Sequence, residues 1–87
     1  MRAFIGIVED VFQITRWGCI VAHAPPADPD LRVRVGDGIL LRRPDGSEIT
    51  TSKSSEIMDN RNPAIESINL AGVHKDDVPI GTEIWLI

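Results

Sequence analysis

The 87-residue chain predicts an all-β domain, and three observations carry that prediction. Apolar residues alternate over short runs with the period of a strand, β-branched residues are dense within those runs, and six prolines and seven glycines cut the runs apart. No stretch of twelve residues carries helical periodicity between a cap and a stop. The expected fold is a small closed or nearly closed antiparallel β-barrel of about six or seven strands, because closure removes exposed edges. A chain of this length has room for one domain, residues 1–87.

Residues 3–14 read as a first strand: Phe4, Val8, Phe12 and Ile14 share one parity and Ile5, Ile7 and Val11 the other, so both faces are partly covered. "TRWG", residues 15–18, is a turn, and "CIVAHA" pairs back as a second strand. "PPADPD", residues 25–30, contains three prolines without an amide donor, and so leaves the sheet as a surface loop. In "LRVRVGDGILLRR" Leu31, Val33 and Val35 face one way and Arg32 and Arg34 the other, before Gly-Asp-Gly turns the chain into a strand from Ile39. "PDG" is a further turn; "SEITTSKSSEIM" suits a half-exposed strand; "DNRNP" breaks it; "AIESINLAG" and "TEIWLI" supply the last two strands.

Thirteen acids oppose nine bases, a formal net charge of −4. That balance argues against non-specific binding to duplex nucleic acid, where Lys and Arg must meet phosphates. Arg32, Arg34, Arg42 and Arg43 lie close in sequence and read as a solvated strand face. Cys19 is the single cysteine, so no internal disulfide forms; with apolar neighbours it reads as a small buried hydrophobe, and a reducing cytoplasm is the expected compartment. The opening "MRAFIGIVED" lacks the apolar core of a secretory leader, and no run reaches membrane-spanning length.

Three ordered pieces carry a family resemblance. "VEDVFQITRWGCIVA", "LRVRVGDGILL" and "INLAGVHKDDVPIGTEIW" resemble the opening hairpin, the central turn and strand, and the closing segment of the second domain of translational GTPases of the elongation factor Tu type. The resemblance spans residues 4–86 and implies an antiparallel β-barrel of the translation-protein type, which in those factors helps hold the aminoacylated end of tRNA. Glu9 and Asp10 match the acid pair near that pocket, and Glu66 matches an acid before the apolar strand. The turn departs from the family's Gly-Arg-Gly, with Arg16 and Trp17 in its place; the glycine before the acid at Glu66 is replaced by Ile65. No phosphate-cradling Gly-x-x-x-x-Gly-Lys-Ser/Thr is present, so neither GTP binding nor hydrolysis is expected.

The candidate binding residues are therefore Glu9, Asp10, Arg16, Trp17 and Glu66. Adjacent acids on a regular strand point to opposite faces and do not form a paired general acid and base, so Asp10 is expected to cap a backbone amide inside the barrel mouth and Glu9 to be solvated. Trp17 is expected either to cover an open barrel end or, with Arg16, to anchor a partner, Trp and Arg being enriched at hot spots. Trp85 is expected to pack. His23 with Asp28 and Asp30 fixes no metal geometry, and the charged loop of His74, Lys75, Asp76 and Asp77 reads as a solvated turn. The expected function is non-catalytic: a binding module serving as a protein-interaction adaptor, with binding of the aminoacyl end of tRNA or another RNA as the alternative. No cofactor, metal, GTP or membrane is expected as a partner.

Overall fold

A computed structural model of the chain describes residues 2–16, 18–28, 30–56 and 65–87. The first apolar run is divided rather than continuous. It forms β1 (Ala3–Ile7) and β2 (Asp10–Ile14), separated by Val8 and Glu9. The reason lies in two successive amides that serve different partners: Val8 N–H donates to Thr82 O (2.8 Å) and Glu9 N–H to Ala22 O (2.8 Å). The chain thus steps from one side of the sheet to the other within two residues.

Then follow β3 (Gly18–His23), β4 (Gly38–Arg42), β5 (Glu48–Ser55), β6 (Glu66–Leu70), a single 3₁₀ turn (Lys75–Asp77) and β7 (Glu83–Leu86). All seven strands join one antiparallel sheet in the order β1-β7-β4-β5-β6-β3-β2. The two edge strands, β1 and β2, are consecutive in the chain, yet the ladder pairs each with a different neighbour and does not close between them.

Residues 31–35 correct the expectation of an extended strand before the Gly-Asp-Gly turn. The alternation survives as far as Arg34, with Leu31 and Val33 half-buried against the core and Arg32 and Arg34 exposed; Val35, expected on the apolar side, is exposed in the turn. The ladder is missing because side chains and turns take the backbone groups. Lys53 Nζ donates to Val33 O (2.9 Å), Arg34 N–H donates to Asp37 Oδ2 (2.9 Å), and Leu31 N–H donates to Asp28 O (3.1 Å). The strand expected over residues 47–58 is laddered only through Ser55, with a register shift between Lys53 and Ser55. Residues 57 and 58, like Ala64 of the next expected strand, lie outside the described residues.

The core is drawn from alternate residues: Cys19 and Val21 of β3, Ile39 and Leu41 of β4, Ile68 and Leu70 of β6, with Ile5, Val8, Val78 and Ile84. Each large aliphatic side chain so buried contributes about 1.5–3 kcal/mol. Burial also pushes the Cys19 thiol above its ordinary range, and the negative charge of Asp77 adds to the shift. Trp85 does pack, but on the outer face, where it meets Phe4 edge-on (centroids 5.1 Å apart), donates to Glu83 Oε1 (3.0 Å) and lies under the Arg42 guanidinium (6.0 Å). The arginines have structural partners: Arg42 pairs with Glu48 (2.9 Å), while Arg43 Nε donates to Asp77 O (2.7 Å) and ties the β4–β5 hairpin to the 3₁₀ turn. The charged loop caps that turn through His74 N–H to Asp77 Oδ2 (3.0 Å) and Asp76 N–H to His74 Nδ1 (3.2 Å).

Candidate binding site

The register separates the sequence-predicted site residues into two groups. Asp10 pairs across from Ala22 and Ile14 from Gly18, so the Arg16 turn lies beyond the far end of a ladder about 14 Å long, four residues at roughly 3.4 Å each. Glu9 and Asp10 sit at the near end. Glu66 joins them there, since it stands opposite His23 on β3. Trp17 lies outside the described residues.

At the near end Glu9 and Asp10 are exposed, and Asp10 Oδ1 accepts the Val11 amide (2.9 Å). The carboxylate thereby occupies a backbone donor of an edge strand, a common way of blunting an edge. Beside Glu9 runs an open groove of about 490 Å³, walled by Phe4, Ile7, Pro25, Pro26 and Ala27. Two local features build it. Pro25 and Pro26 cannot continue the ladder of β3, so the chain swings out beside β1. Gly6 lets the two segments meet: a Cβ there would lie 3.1 Å from His23 Nδ1 and 3.3 Å from Ala24 O. Phe4 and Ile7, which line the groove, are 44% and 50% exposed, so their apolar faces are available to a partner.

Beside this groove, sharing Ile5 and Pro26 with it, lies a small, partly open cavity of about 50 Å³, lined also by His23, Lys53, Glu66 and Ile68 among others. His23 is completely buried, and Nδ1 lies 2.7 Å from Ala24 O. A carbonyl only accepts, so Nδ1 carries the proton. Nε2 has no hydrogen-bond partner among the described residues. Lys53, also buried, donates to Val33 O and to Glu56 Oε2 (3.1 Å).

At the far end Arg16 borders a second groove, about 740 Å³, with Gly18, Ser54, Ser55, Asn69 and Gly72. Gly18 adopts φ 82°, a value that L side chains rarely take, which lets the turn fold over β6. Asn69 is 2% exposed; its Nδ2 donates to Ser55 Oγ (2.7 Å), while Oδ1 has no partner among the described residues. The register shift in β5 brings both serines to this groove, and Ser54 Oγ donates to Asn69 O (3.3 Å).

Phe4, Ile7 and Lys53 carry no signal in the sequence, because nothing in an alternating run says which edge stays uncovered. His23 stands out in the sequence only beside Asp28 and Asp30; in the structure it faces the interior while those two are exposed, and no group of three candidate ligands occurs among the described residues. The one signal for the Asn69 groove is the polar "TTSKSS" run, which the sequence reads only as a half-exposed strand. No helix among the described residues is long and apolar enough to cross a membrane. No family model, no curated protein and no solved structure matches this chain.

Proposed function

We propose that the chain is a non-catalytic binding module, a protein-interaction adaptor that docks an extended apolar segment of a partner in the groove between β1 and residues 24–27. The observation that carries this reading is the apolar wall of Phe4, Ile7, Pro25, Pro26 and Ala27 beside a single acid, Glu9. An extended apolar segment with one basic residue placed near Glu9 complements that lining in both shape and charge. The acidic balance of the chain, −4, favours such a partner over a polyanion.

We further read the sheet as a barrel of the translation-protein type. Its seven antiparallel strands agree with the number that the resemblance to the second domain of translational GTPases implies, and its two edge strands are successive pieces of one run. The second reading, RNA-end binding, draws on the far groove, where Arg16 is joined by two serines and an asparagine with no acid in the lining.

A pull-down from cell extract, scored for protein against RNA, tests both. Adaptor function predicts protein recovered by the wild type and lost with Ile7→Asp. Recovery of RNA that is lost with Arg16→Glu but retained with Ile7→Asp would overturn it.

A further inference from the structure

We infer that the small, partly open cavity beside the groove is a hydration site, in which one ordered water accepts from Lys53 Nζ and donates to His23 Nε2. Volume selects the ligand. At about 50 Å³ the space clears the roughly 10–15 Å³ that a water needs and lies well under the roughly 150 Å³ of an apolar cavity that takes up benzene. Chemistry selects the orientation. With Nδ1 protonated and turned to Ala24 O, against the wall formed by Gly6, the Nε2 edge is the one left to the cavity, and it offers a lone pair. Lys53 uses two of its three N–H groups on Val33 O and Glu56 Oε2 among the described residues. A water between them accepts the third and donates to Nε2, and its second hydrogen is left for Glu66, a residue that also lines the space. Such a water makes about three hydrogen bonds, the number typical of buried waters.

The site acts as a latch. Pro26, Leu31 and Val33 of the loop between β3 and β4 form part of its wall, so the water links that loop, already held by Lys53 at Val33 O, to His23 of β3. Ile5 and Pro26 line both this cavity and the groove outside, so the latch fixes the groove's inner wall whatever the groove binds.

The experiment is NMR on the wild-type chain. Long-range proton–nitrogen spectra of His23 should show the Nδ1–H tautomer, and a water cross-peak should reach the His23 ring with the sign of a slowly exchanging molecule. In amide exchange, His23→Leu should speed exchange at Leu31 relative to Leu41 roughly fivefold, the effect of one lost hydrogen bond, while His23→Gln should largely restore protection. An Nε2–H tautomer, a ring without a water cross-peak, or equal exchange at Leu31 in both variants would each overturn the latch. Should His23→Leu fail to fold, the wild-type tautomer and cross-peak still decide between a hydrated and a dry cavity.

Discussion

The two ends of the β2–β3 hairpin share a strand pair but differ in what the rest of the chain lays against them. At the Glu9 end, two prolines turn the chain out beside β1, and the groove is walled by Phe4, Ile7, Pro25, Pro26 and Ala27. At the Arg16 end, the shifted register of β5 brings Ser54 and Ser55 to Asn69, and the groove, though Leu70 and Ala71 also line it, is the more polar of the two. The hairpin itself contributes one acid to the first and one arginine to the second. A binding surface in this molecule is thus set less by the turn that attracts notice in the sequence than by the distant segment that packs on it.

The largest effect expected from this contrast is on binding. Ile7→Asp places a charge in the apolar groove and should weaken partner binding by about 2 kcal/mol or more, the hot-spot scale, measured by titration calorimetry. The half-exposed site should leave the circular dichroism spectrum unchanged; equal binding by the variant would end the claim that this groove is the docking surface. Next, Gly6→Ala crowds His23 Nδ1 and Ala24 O at the approach that shapes the same end. It should cost about 1–3 kcal/mol of stability in urea unfolding. A neutral outcome would mean that β1 and residues 23–24 can separate, and the groove with them.

At the other end Arg16→Glu should leave stability within about 0.5 kcal/mol, as for exposed sites without structural bonds, and should leave the adaptor's partner bound. Cys19, buried with its thiol pushed up, lies next to Gly18 at this same end. It should resist thiol reagents in the native protein and react on unfolding; fast native labelling would show that this end opens. The smallest effect belongs to a turn remote from both. Ser47 donates to Asp45 through its hydroxyl (2.6 Å) and its amide (2.9 Å), holding the Asp45 carboxyl below its ordinary 3.8. A depressed carboxyl stabilises the fold above its unfolded value, and the contribution is lost as pH falls through the folded value. Asp45→Asn should therefore lower the melting temperature slightly at neutral pH and not at all in acid. A pH-independent difference would assign the loss to packing.

The sequence by itself determined the class of fold and most of the turns; its count of about six or seven strands meets the observed seven only because the division of the first run offsets the loss of residues 31–35 from the ladder. Class and turns follow from local chemistry: alternation at period two, β-branched residues, and proline or glycine where the ladder must stop. It also marked which arginines of residues 31–35 face water. Tertiary structure alone decided three things. It divided the first run at Val8 and Glu9, because the Glu9 amide stays with the hairpin partner Ala22 while the Val8 amide goes to Thr82, in a segment that no local pattern pairs with it. It kept residues 31–35 off the ladder, because Lys53, 20 residues beyond Val33, takes that residue's carbonyl. And it parted Arg16 from Glu9, Asp10 and Glu66, because strand register, not proximity in sequence, sets which side chains share a surface.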